Sequence, residues 1–102
     1  MSQEQPYPNP ESLRQKRGQI LDIAKAHGAR NIRVFGSVAK GLQGPKSDID
    51  LLVDLVPKRS LLDLGNIVMD LQDLLGYWVN VVEPEGLHWY IRDKVVKEAE
   101  IL

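Results

Sequence analysis

Apolar residues recur along this chain in two registers, helical stripes and short strand-length runs, and the two alternate. Leu13, Ile20, Leu21, Ala24 and His27 follow helical spacing and stop at Gly28. Asn9 suits the N-cap of that helix and Pro10 its first turn, where a missing N–H costs nothing. Leu61, Leu64, Val68, Leu71 and Leu75 advance by steps of three and four, and Ile67 and Leu74 broaden the stripe. Ser60 and Asp63 stand in capping-box relation at the start of this second helix, and Gly76 ends it. A third helix is expected from Gly86 to about Glu100, with Leu87, Ile91 and Val95 facing inward.

Between the helices lie three strand-like runs: Asn31–Phe35, Asp48–Asp54 and Tyr77–Val82. A short loop joins the first two, which makes them antiparallel. A helix joins the second to the third, and such a crossover is right-handed and makes its strands parallel. The expected fold class is therefore α/β (α+β): a small mixed sheet of three to four strands with helices packed on it. Residues 1–10 read as a flexible N-terminal segment and residues 11–102 as a single domain.

Composition narrows the chemistry. The chain has 102 residues, 43% of them hydrophobic, enough for one moderate core. A net charge of −1 leaves no electrostatic footprint for direct nucleic-acid binding. With no cysteine there is neither a disulfide framework nor a thiol nucleophile, and a cytoplasmic location is expected. The sequence shows no apolar signal segment and no run long enough to span a membrane. His88 has no second ligand at metal spacing and reads as a surface or packing residue. Lys16, Arg17 and Lys25 read as a solvated face. Trp89 and Tyr90 read as core or rim aromatics and, if exposed, as the first candidates for contact with a partner.

The residues that carry chemistry cluster between the first two strands. Gly36-Ser37 ends the first strand, ten residues follow, and Asp48-Ile49-Asp50 opens the second. Alternation puts Asp48 and Asp50 on one face while Ile49 and Leu51 point into the core. Carboxylates roughly 6–7 Å apart along a strand repel each other. A divalent cation relieves that repulsion, and magnesium favours one or two carboxylates with water and substrate phosphates. Gly36-Ser37, leading into a short helical turn over Val38-Ala39-Lys40, offers a hydroxyl, free backbone N–H groups and a nearby ammonium, the ingredients of an anion site.

The segment from Arg33 to Asp54 resembles the core of the DNA polymerase β superfamily of nucleotidyltransferases, whose signature is Gly-Ser, ten residues, Asp-x-Asp. The chain from about Ser12 resembles more closely the minimal nucleotidyltransferases, small domains usually paired with a HEPN-domain toxin in toxin–antitoxin modules; the wording "FGSVAKG…SDIDLLVD" carries this. The resemblance implies a polymerase β-like core, ATP as substrate, Mg²⁺ as cofactor and transfer of AMP to a tyrosine of the HEPN toxin, an RNase. It implies metal ligands Asp48 and Asp50, catalytic residues Asp48, Asp50 and Asn80, and nucleotide-binding residues Gly36, Ser37, Lys40 and Ser47. Lys40 stands where the family more often has arginine, which keeps the charge and loses a bidentate fork.

Position 80 departs from that pattern. The family carries a third acidic residue at the centre of the next strand, and here the strand reads Tyr77-Trp78-Val79-Asn80-Val81-Val82. An amide can lend a metal its carbonyl oxygen, but it has no charge and is no useful base. Catalysis should be crippled, while ATP and one magnesium ion could still bind through Asp48 and Asp50. Glu83 falls on the opposite strand face, and Asp54 lies roughly 13 Å beyond Asp50. Asn80 thus raises an alternative: an antitoxin that neutralises its toxin by binding alone. A small-molecule nucleotidyltransferase ranks lower, because the nucleotide site takes up most of the chain and leaves no acceptor domain.

Overall fold

The computed structural model describes residues 10–40 and 48–102. Along the chain run α1 (Pro10–Gln15), α2 (Arg17–Ala26), β1 (Ala29–Phe35), α3 (Gly36–Ala39), β2 (Ile49–Leu55), α4 (Leu61–Leu75) and β3 (Val79–Val82). A 3-10 turn (Pro84–Gly86), α5 (Trp89–Glu98) and β4 (Glu100–Ile101) complete it. The four strands form one sheet in the order β3-β2-β1-β4. β1 is antiparallel to β2 and β4, and β2 is parallel to β3, the directions expected for the three strands read from the sequence.

One sheet face carries the core. Val34, Ile49, Leu51, Val53, Val79 and Val81 pack there with Ile20 and Ala24 of α2 and Leu64, Ile67 and Leu71 of α4. From Leu64 to Leu75 the helical stripe of α4 is thus the one its spacing predicts. Its capping box forms between Ser60 and Asp63, and Gly76 closes it in the left-handed conformation at φ 77°. The ladder between β2 and β3 is entered by Ile49 N–H donating to the Trp78 carbonyl at 2.9 Å, while Gln72 of α4 accepts from Val79 N–H at 3.1 Å. These bonds set β3 in register with the start of β2.

Several expectations change. The first helix is interrupted at Lys16, giving α1 and α2; Leu13 and Ile20 are buried on either side of the break. Lys16 and Arg17 are not wholly solvated, since Lys16 Nζ donates to the Leu74 carbonyl at 3.2 Å and Arg17 Nε to a backbone oxygen of Leu102 at 2.7 Å. The last helix does not reach Glu100: Ala99 is extended, and Glu100 and Ile101 pair with Val34 and Arg33 on the free edge of β1. A two-residue strand has no periodicity to read; its partner's open hydrogen bonds create it.

The stripe of α5 is also weaker than its spacing suggests. Leu87 and Val95 are half-buried, but Ile91 is exposed and no residue of α5 is fully buried. Arg92, Asp93, Lys94, Lys97 and Glu98 dilute the helix, so little apolar area is left to hold it down. Trp89 and Tyr90 stand 74% and 76% exposed, the condition under which they become partner-contact candidates. His88 caps α5 by accepting from Tyr90 N–H through Nδ1 at 3.1 Å. The other histidine, His27, shares a 2.9 Å hydrogen bond with Asp70 that ties α2 to α4. The expected flexible segment lies outside the described residues except for Pro10, which opens α1, and the expected cap Asn9 also lies outside them.

Candidate nucleotide site

The site gathers where β1 ends and β2 and β3 begin. β1 runs to Phe35, and Gly36 turns the chain at φ 76° into the four residues of α3. A side chain at Gly36 would meet two obstacles: that backbone region disfavours L-residues, and a Cβ there would run into Oδ2 of Asp50. The glycine therefore lets the turn and the carboxylate share the same space. Val38 is fully buried and anchors α3, and half-buried Ser37 comes just before it.

Asp48 immediately precedes β2 and Asp50 is its second residue, so both sit at the same end of the same face. Phe35 pairs with Asp50 across the antiparallel ladder, which brings the glycine turn beside it. Asp50 pairs with Asn80 across the parallel ladder. The Asn80 amide Nδ2 donates to Asp50 Oδ1 at 3.0 Å and to Asp48 Oδ2 at 3.3 Å. Three side chains that the sequence separates by up to 32 positions thus form one hydrogen-bonded group.

Partial burial holds the Asp50 carboxyl above the usual aspartate range; the Asn80 hydrogen bond pulls the other way, and the Asp48 charge adds to the rise. An acid that resists ionisation beside a second acid is an arrangement that a cation would favour. The donor set also suits a hard divalent ion: two carboxylates, with a third oxygen available from Asn80 if its amide turns over. Among the described residues no third acidic or imidazole group joins the pair.

The remaining expected residues are placed less directly. Lys40 Nζ pairs with Glu98 Oε2 of α5 at 3.3 Å, a partner that no sequence signal marked. Ser47 lies outside the described residues. Asp54 is engaged elsewhere, accepting from Asn31 Nδ2 and Arg33 Nη2, each at 2.9 Å. Glu83 is the residue before the 3-10 turn, past the end of β3. Neither stands in for a third acid.

The comparisons give the family and the fold. A family model described as a nucleotidyltransferase domain matches residues 17–102, and the chain belongs to this family. A protein of Methanocaldococcus jannaschii named "putative protein adenylyltransferase" is 36% identical over 80 residues, spanning 78% of this chain and 86% of that protein. A solved structure of a "putative minimal nucleotidyltransferase" superposes with a TM-score of 0.83 at 41% identity, covering 93% of this chain and 97% of the other. A toxin–antitoxin crystal structure with AMP-PNP superposes at 0.70, with 21% identity over 82% of this chain and 69% of the other, and shares the fold.

Proposed function

We propose that this chain is the nucleotidyltransferase antitoxin of a toxin–antitoxin pair, that it binds ATP with Mg²⁺, and that its chemistry is transfer of AMP to a tyrosine of a HEPN-type RNase toxin, slowed by Asn80. The observation that carries this reading is the convergence of Asp48, Asp50 and Asn80 across two parallel strands beside the Gly36 turn. The relatives named for protein adenylyltransfer, and the shared fold of a toxin–antitoxin complex with an ATP analogue, support the reaction class and the partner. No helix among the described residues is long and apolar enough to cross a membrane.

The roles follow from the residues. The backbone at Gly36 and the Ser37 hydroxyl receive the β and γ phosphates, and Lys40, released from Glu98, adds positive charge. Asp48 and Asp50 would hold the magnesium, which would supply positive charge to offset that of the phosphates. The tyrosine oxygen bonds to the α-phosphorus, the bond to the β-phosphate oxygen breaks, and pyrophosphate departs. Asn80 cannot take the tyrosine proton, so solvent must. A positioned general base is worth roughly 10²–10⁴ in rate, and that factor is what this chain forgoes.

The same residue favours a second reading, in which the antitoxin neutralises its toxin by occupying it and the nucleotide is a structural ligand. Intact-mass measurement of the partner, after incubation with this protein, ATP and Mg²⁺, separates the two. AMP increments mean transfer. Asn80→Asp is expected to transfer roughly 10²–10⁴ faster. Equal rates for both forms would refute the role of position 80, and an unmodified partner that stays inhibited would leave the binding reading.

A further inference from the structure

Two carboxylates on adjacent same-face positions of a strand need something between them. Among the described residues no lysine or arginine pairs with Asp48 or Asp50. What lies against them instead is a neutral amide with two hydrogens, one for each acid. Hydrogen bonds to ionised acceptors are stronger than neutral ones, so the arrangement relieves part of the repulsion without a cation. Parallel pairing of Asp50 with Asn80 fixes the amide at the level of the acids, so the contact follows from strand register.

We infer that Asn80 is a positioning residue that locks the carboxylate pair: its NH₂ holds Asp48 and Asp50 together in cation-free protein, and the amide turns over when a divalent cation enters. The inference rests on the nucleotide-site reading above and adds a regulated step to it. A cation shared by the two acids competes for their oxygens, and the amide hydrogens then face a positive charge. Half a turn about the Cβ–Cγ bond replaces them with Oδ1, an oxygen ligand magnesium accepts. An aspartate at this position could not lock the pair, because a third negative charge would push the group apart until metal arrived. Position 80 thus exchanges a site assembled by metal for one assembled beforehand.

The test reads the amide directly. In ¹⁵N-labelled protein the Asn80 side-chain resonances are assigned by their loss in Asn80→Ala, then followed as Mg²⁺ and a non-hydrolysable ATP analogue are added. The expected result is a marked shift of both amide protons, together with the backbone signals of Gly36 and Ser37. Movement of Gly36 and Ser37 with an unmoved Asn80 amide would overturn the lock and leave the nucleotide site standing. Silence at all three would overturn the nucleotide site itself.

Melting in EDTA then decides the cation-free half alone. Asn80→Ala should melt below the wild-type protein and Asn80→Asp lower still, by about 4–8 °C. Mg²⁺ should restore Asn80→Asp the most. A wild-type melting point for Asn80→Asp in EDTA would show that the amide holds nothing.

Discussion

Replacing Gly36 by alanine probes the site through its backbone. Two glycines of this chain have almost the same left-handed conformation, Gly36 at φ 76° and Gly76 at φ 77°, in different surroundings. A Cβ on Gly76 meets nothing within 4 Å, whereas one on Gly36 collides with the Asp50 carboxylate. Gly76→Ala therefore carries only the conformational penalty of an L-residue there, about 1–2 kcal/mol. Gly36→Ala carries that penalty and must also displace Asp50 from its bond to Asn80. Each kcal/mol corresponds to about 4–8 °C in melting temperature for a domain of this size. Gly76→Ala should thus melt about 4–16 °C below the wild-type protein while binding Mg²⁺ and nucleotide normally. Gly36→Ala should melt at least as low and lose nucleotide uptake, measured by calorimetry at a temperature where both variants are folded. Wild-type nucleotide affinity in Gly36→Ala would refute the argument that the turn and the carboxylate share one space.

Other outcomes follow from the charges around the site. Because the folded-state pKa of Asp50 is raised above its unfolded value, this group's contribution to stability is present at low pH and is lost as pH rises through the interval between the two values. Asp50→Asn should therefore raise the melting temperature at neutral pH while abolishing Mg²⁺-dependent nucleotide binding; a lower melting temperature would contradict the sign. Glu98→Gln removes the partner of Lys40, and since both side chains are close to half exposed the stability change should stay within about 1 kcal/mol. The freed Lys40 should tighten nucleotide binding at low ionic strength, an effect that disappears in high salt; an unchanged affinity at low salt would detach Lys40 from the phosphates.

Much of this molecule was legible along the chain because local rules governed it. The stripe of α4 with its cap and terminal glycine, and the strand directions implied by a short loop and a helical crossover, all arise from spacings of a few residues. The motif from Gly36 to Asp50 was legible for the same reason, since its turn and its pair of acids are near neighbours in sequence. The interruption at Lys16, the pairing of Glu100 and Ile101 with β1, and the exposure of α5 were not, because each depends on what a distant segment offers. The Lys40–Glu98 ion pair belongs with them: either residue alone reads as surface charge.

Asn80 shows the boundary between the two kinds of information most clearly. The order of residues determined that position 80 carries an amide, a group with no charge and no use as a base. Only the folded sheet decided what that amide does, because a hydrogen bond of 3.0 Å to Asp50 exists only once β3 lies parallel to β2 in a single register. Chemical capacity is a property of the side chain and can be read from its name; contact is a property of two chain segments brought together by a shared core, and that requires the structure.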